Sequence, residues 1–326
     1  VREFETKFAE YIGVEHAVAV NSGTSALFAA LLAHNIGNGD EVITTSFSFI
    51  ATANSILFTG AKPVFADIEY DTFNIDTDDI MNKITPKTRG LMPVHLYGHP
   101  AEMKTIMEIA QDYDLIVIED ACQAHGATYS NNKAGSFGTG AFSFYPTKNM
   151  TTSEGGMITT DDSKVAERAR MIRSHGSKQR YLHEMMGYNL RMTDISAAIG
   201  LVQLGKLDGF TQMRQWNAKI LSAGLRNVDG ITIPAIRGGC SHVFHQYTIR
   251  AENRDELSAM LNEGGIGTGT YYPIPIHQQP VYRELGYDDN LPECEIAALE
   301  TLSIPVHPAV SKDELTMIIE GIKNAV

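Results

Sequence analysis

Four short segments carry residue types that could act together on one small molecule. In Phe142-Ser143-Phe144-Tyr145-Pro146-Thr147-Lys148 an apolar run ends in a proline turn, and a lysine lies just beyond it. A loop lysine is ordinarily a solvated charge, but freed of its proton it is a nucleophile and a base. In Glu119-Asp120-Ala121-Cys122-Gln123-Ala124-His125-Gly126, carboxylates follow an apolar run. A carboxylate there is costly to bury unless paired. Asp120 therefore reads as the partner of a cation, as a structural ion pair or helix cap, or as a metal ligand with Glu119 and His125. Adjacent strand residues face opposite ways, which counts against the metal. Asn21-Ser22-Gly23-Thr24-Ser25 is a glycine turn with hydroxyls at a helix start. Free N–H groups and the helix dipole make such a turn an anion seat, although serine and threonine also cap helices with no ligand present. Phe49, in the fourth segment Ser46-Phe47-Ser48-Phe49-Ile50-Ala51-Thr52, is either core or a stacking face for a flat ring.

These segments need a scaffold that brings strand ends together. Short β-branched or apolar runs at 17–20, 41–45, 63–66, 90–96, 115–118, 141–144 and 157–160 read as strands. Helical patterns at 25–34, 50–58, 77–83 and 102–113 fall between most of them. Alternation of this kind predicts an α/β fold with a mostly parallel sheet covered on both faces, and ligands at the carboxyl ends of its strands. A long helical stretch is expected over 193–225. Beyond it Gly230, Pro234, Gly238 and Gly239 mark a shift in composition. The expected division is a large domain over 1–227 and a smaller α+β domain over 228–326, with a strand near 242–250 and helices near 255–262 and 312–325.

Composition narrows the function classes. The chain has 326 residues, 43% hydrophobic, which suffices for a sizeable core. No apolar stretch is long enough to cross a bilayer. A net charge of −13 disfavours nucleic acid as a partner. The basic stretch Arg168, Arg170, Arg173, Lys178 and Arg180 reads as a solvated helix face or as a patch for a phosphorylated ligand. Three scattered cysteines with no C-x-x-C form neither a disulfide framework nor a zinc site and match cytoplasmic usage; no metal is expected. The opening residues read as mid-helix rather than as a signal peptide, so a preceding segment is expected.

Taken together, the four segments match the needs of pyridoxal 5'-phosphate: a lysine amine, an anion cradle, a carboxylate for the ring nitrogen and an aromatic face for the ring. The same motifs resemble the DegT/DnrJ/EryC1/StrS family of nucleotide-sugar aminotransferases. So do Glu154-Gly155-Gly156, Gly187-Tyr188-Asn189-Leu190-Arg191-Met192, Tyr271-Tyr272-Pro273 and Ile276-His277-Gln278-Gln279-Pro280. The resemblance covers essentially the whole chain. It implies a fold type I pyridoxal-phosphate enzyme working as a homodimer. Carried over by position, Lys148 is the Schiff-base lysine, Asp120 the partner of the ring nitrogen and Gln123 that of the ring hydroxyl. Thr24 and Ser25, at the Gly23 turn, and Ser143 correspond to phosphate ligands, and Phe49 to the stacking residue. Asn189 corresponds to a residue reaching the phosphate from the neighbouring subunit. Tyr272 and His277 fall in segments resembling the substrate-facing wall, and Tyr271 stands where histidine is frequent.

The implied reaction is ping-pong transamination, in which L-glutamate gives up its amino group, 2-oxoglutarate leaves, and the ketone of a nucleotide-linked sugar is aminated. The basic stretch around Arg173 and Lys178 is a candidate for the diphosphate. Some relatives remove a hydroxyl group instead and resemble this chain except for a histidine at the position of Lys148. A cyclitol or other non-nucleotide ketone as acceptor, and a regulatory protein that binds the cofactor without turnover, are the alternatives.

Overall fold

The computed structural model describes residues 1–326. Seven strands form the main sheet: β1 (His16–Val20), β2 (Glu41–Thr45), β3 (Lys62–Ala66), β4 (Thr88–Met92), β5 (Ile116–Asp120), β6 (Thr139–Ser143) and β7 (Gly156–Thr160). Their order across the sheet is β1-β7-β6-β5-β4-β2-β3. Only β7 runs against the rest. The carboxyl ends of the other six strands therefore share one edge, and all four segments singled out above follow those ends.

Local chemistry explains the main elements. Helix α1 (Arg2–Ile12) places Phe4, Phe8 and Ile12 on one face, where Phe8 meets Phe142 and Phe144 edge-on at 5.0 and 5.4 Å. Helix α2 (Gly23–Ala33) is apolar nearly all round, and it is sandwiched between the sheet and the helix Ser163–Arg173. β4 ends at Met92, short of the expected 96, because Pro93 has no N–H to continue the ladder.

The expected helix over 193–225 is two helices, Asp194–Leu204 and Leu207–Leu225, separated at Gly205 and Lys206. Beyond residue 227 a three-stranded antiparallel sheet of Ile231–Thr232, Tyr247–Ala251 and Thr301–Ile304 is backed by the helices Arg254–Glu263 and Lys312–Ala325. Its core also takes in Ala218, Leu221 and Leu225. The last turns of the second helix thus pack with this C-terminal sheet, across the boundary expected near 227. The strand expected over 242–250 begins only at Tyr247, because Phe244 turns at φ 45° with its N–H donating to His242 Nδ1. No helix is long and apolar enough to cross a membrane.

Candidate active site

Lys148 is carried on a tight turn. Its N–H donates to Tyr145 O at 2.9 Å with Pro146 at the second position, where a fixed φ favours the bend. Loop bonds from Thr152 N and Thr151 Oγ1 to Phe144 O, at 3.0 and 2.9 Å, tie the following residues back to the strand end. The amine is half-buried. Burial lowers its pKa, opposed in part by Cys122 and Asp120 nearby, so the neutral, nucleophilic form is favoured relative to a solvated lysine.

Asp120 ends β5 and is only 5% exposed. Thr52 Oγ1 donates to its Oδ2 at 2.7 Å and Cys122 N to its Oδ1 at 3.2 Å. No lysine, arginine or histidine forms an ion pair with it. The structural ion pair offered by the sequence is therefore not made. The carboxylate keeps accepting capacity for a cation that the polypeptide does not supply.

Glu119 faces the other way. It is fully buried and accepts from Gly135 N, Phe137 N and Gly138 N at 2.8, 2.8 and 3.0 Å, and from His95 Nε2 at 2.9 Å. His95 Nδ1 accepts from Ala101 N at 3.0 Å, which assigns the remaining ring proton to Nε2. His125 is buried against Phe142 and Phe144 with neither ring nitrogen bonded. Glu119, Asp120 and His125 therefore do not converge as a metal site.

At the end of β1, Ser22 caps α2 by accepting from Ser25 N at 3.1 Å. Plain capping is thus present, but it is done by Ser22, and the N–H groups of Gly23 and Thr24 have no acceptor in the protein. Gly23 lies directly against β6: a Cβ there would stand 2.6 Å from Ser143 Cβ and 3.0 Å from Cys122 Sγ. The Gly23 turn, Ser143 and the Asp120 segment are therefore one wall. Phe47 is the core aromatic of its segment, whereas Phe49 is 58% exposed, with a ring face free to stack.

Gln123 is buried and oriented at both ends. Its Oε1 accepts from Tyr97 N at 2.9 Å, and its Nε2 donates to Tyr272 Oη at 2.9 Å. Burial pushes the Tyr272 phenol up, keeping it uncharged. The other residue expected in the substrate-facing wall, His277, is placed elsewhere. It is fully enclosed, Ser46 Oγ lies 2.6 Å from its Nδ1, and its Nε2 is 3.3 Å from Glu295 Oε1. Asn189 is exposed, next to Leu190, whose carbonyl accepts from Asn21 N at 2.8 Å.

The basic stretch is largely committed within the chain. Arg168 Nε donates to Ala33 O at 2.8 Å. Arg173 Nη1 donates to Glu5 at 2.5 Å and to Ala19 O at 2.8 Å, and Lys178 pairs with Glu167 at 2.7 Å. Arg173 is thus a structural pair and Lys178 an exposed surface pair, while Arg170 and Arg180 are exposed and carry no salt bridge.

A family model described as the DegT/DnrJ/EryC1/StrS aminotransferase family matches residues 1–323. The chain belongs to that family. It is 46% identical to the pleiotropic regulatory protein of Geobacillus stearothermophilus, over 99% of this chain and 88% of that protein. It is 41% identical to dTDP-3-amino-3,4,6-trideoxy-alpha-D-glucose transaminase of Streptomyces venezuelae, over 98% of this chain and 85% of that protein. The solved structure of S. venezuelae DesV in complex with a ketimine intermediate superposes with a TM-score of 0.97 at 40% identity, covering 99% of this chain and 88% of that one. A Bacillus subtilis structure, ntda with bound cofactor PMP, gives a TM-score of 0.92 at 34% identity, over 99% and 76% of the two chains. The fold is that of the pyridoxal-phosphate-dependent aminotransferases, and the chain is an enzyme of that class.

Thr52 and Tyr97, which hold Asp120 and Gln123, were not singled out in the sequence. Thr52 had a signal, a hydroxyl in the strand-end segment of Phe49; Tyr97 acts through its backbone N–H and had none.

Proposed function

We propose that this enzyme transfers the amino group of L-glutamate to the ketone of a nucleotide-linked keto-sugar, in two half-reactions at one site. The observation that carries the reading is the meeting of Lys148, whose pKa burial lowers, with Asp120, a buried carboxylate without a protein cation. Both lie on one sheet edge with the free N–H groups of the Gly23 turn. These groups fit pyridoxal 5'-phosphate. Gly23 and Thr24 N–H, the Thr24, Ser25 and Ser143 hydroxyls and the dipole of α2 suit its phosphate. Asp120 suits the ring nitrogen, Gln123 the ring oxygen, Phe49 the ring face, and Lys148 the aldehyde carbon.

Bound there, the cofactor supplies an electron sink for the carbon that carries the amino group. Asp120 keeps the ring nitrogen protonated by charge pairing in a desolvated site. Lys148 Nζ, once free, takes the proton from that carbon and returns it on the other side of the exchange. The sugar nucleotide as acceptor is supported by the sugar transaminases among the relatives, and Lys148, in place of histidine, favours amination over dehydroxylation. A homodimer with Asn189 completing the partner's phosphate seat is supported by an uncovered apolar face on the helix Asp194–Leu204, where Ile195 is 78% exposed and Ile199 and Val202 lie beside it.

Borohydride reduction of the reconstituted protein, followed by peptide mass mapping, places a pyridoxyl group on Lys148; its absence from that peptide overturns the reading. In unreduced reconstituted protein, glutamate alone should abolish the visible absorbance in a single turnover, and a panel of keto-sugar nucleotides and cyclitol ketones should restore it selectively. Absorbance unchanged by every amino donor favours a cofactor-binding regulator; the Geobacillus relative is named a pleiotropic regulatory protein.

A further inference from the structure

Tyr272 reaches Gln123 from a strap anchored at both ends. On the small-domain side, Gly269 exchanges two bonds with Ser303, at 2.9 and 2.8 Å. On the large-domain side, Ile276 N donates to Ser46 O at 2.9 Å, and His277 N donates to Ser46 Oγ at 3.0 Å. The Ser46 hydroxyl therefore serves His277 twice, through its backbone N–H and its Nδ1. Between these anchors Tyr272 takes φ 60°, a left-handed conformation unusual for a bulky residue. Tyr97, opposite it, takes φ 55°. The two rings lie 6.3 Å apart and within 17° of parallel. Such strain persists only where the surroundings over-determine it, and it collects at functional sites.

What the two strained tyrosines share is Gln123. Tyr97 N–H fixes the amide oxygen and Tyr272 Oη takes one hydrogen of the amide nitrogen. The amide cannot flip without facing donor with donor at Tyr97. Its second N–H hydrogen has no acceptor in the protein and is left for a ligand.

We infer that Tyr272 is a positioning residue: through its hydroxyl the small-domain strap holds the Gln123 amide so that its spare N–H meets an oxyanion, the ring oxygen of the cofactor. This rests on the pyridoxal-phosphate reading. A donor on that oxygen competes with the proton shared by the nitrogen joining Lys148 to the cofactor. Losing the donor therefore raises the pH at which that nitrogen deprotonates.

The test is a pH titration of the visible absorbance of holoprotein for the parent, Tyr272→Phe, Gln123→Ala and the double variant. Tyr272→Phe keeps the ring, the strap and the stacking, and its thermal midpoint should fall by no more than the few degrees that one lost hydrogen bond costs. Its titration midpoint should rise by roughly one pH unit, a shift typical of one lost local partner. Within the Gln123→Ala background the same substitution should add nothing, because its effect runs through the amide. A parent that carries no pyridoxyl on Lys148 after reduction overturns the cofactor reading and this inference together. A parent with the expected band and an unshifted Tyr272→Phe overturns this inference alone. So does an equal shift from Tyr272→Phe with and without Gln123, which would mean that the tyrosine acts independently.

Discussion

Replacing Gly23 with alanine introduces one methyl carbon at the point where α2 touches the end of β6. That carbon would lie 2.6 Å from Ser143 Cβ, 3.0 Å from Cys122 Sγ and 3.1 Å from Ser143 Oγ. Carbon atoms in contact settle at about 3.5–4.0 Å, so the first turn of α2 and the strand end must part by about 1 Å. Neither side yields easily, because Ser143 is in the ladder with Gly156 and α2 is packed into the main core. Overpacking of this kind costs about 1–3 kcal/mol. The better helix propensity of alanine offsets at most about 1 kcal/mol of that, and less at a helix start. The larger effect falls on the anion seat. Two N–H groups and the Ser143 hydroxyl displaced by ~1 Å lose about 1 kcal/mol each, which weakens phosphate binding by roughly a hundredfold. Absorbance titration of apoprotein with pyridoxal phosphate measures that loss, and a thermal melt of the apoprotein measures the packing cost. Ser143→Gly in the Gly23→Ala background removes the nearest clash, so stability should recover while affinity stays low. Gly23→Ala protein that melts with the parent and binds the cofactor as tightly would refute the placement of the phosphate at this turn.

Three further outcomes are expected. Asp120→Asn can keep Cys122 N–H on its oxygen and donate from its nitrogen to Thr52 Oγ1, whose own hydrogen can turn to Ser48 Oγ, so the apoprotein should unfold near the parent midpoint in urea. Cofactor retention on dialysis should fall by about 1.5–3 kcal/mol, the value of a bond to a charged group; a strongly destabilised apoprotein would instead make Asp120 a structural residue. Glu119→Gln turns an amide toward three backbone N–H donors and His95, and should cost about 2–4 kcal/mol in urea unfolding even without cofactor. His125 is held neutral by burial, its pKa lowered from 6.5 to about 3. The unfolded chain binds a proton there below pH 6.5 and the folded chain does not, so this stability is present above 6.5 and is lost as pH falls toward 3. His125→Leu should reduce the slope of stability against pH in that window by about 1.4 kcal/mol per pH unit, measured by urea unfolding at several pH values.

The sequence determined this protein wherever chemistry follows local pattern. The strands at 41–45 and 157–160 and the helices at 77–83 and 312–325 were legible to within a residue. Period and turn residues depend on neighbours along the chain. The strand-end motifs around Gly23, Asp120 and Lys148 were legible for the same reason, since a largely parallel sheet gathers such ends on one edge. Packing between distant segments decided the rest. Whether Arg173 meets a phosphate or Glu5, and whether His277 faces substrate or Ser46, depends on contacts across more than 150 residues of chain. Asp120 is sharper for the structure: the sequence showed a carboxylate needing a cation, and the fold showed that no side chain provides one. The tyrosines that orient Gln123 do so from left-handed backbone positions. No residue type announces these, because the strain is held there by the surrounding fold and not by the tyrosines themselves.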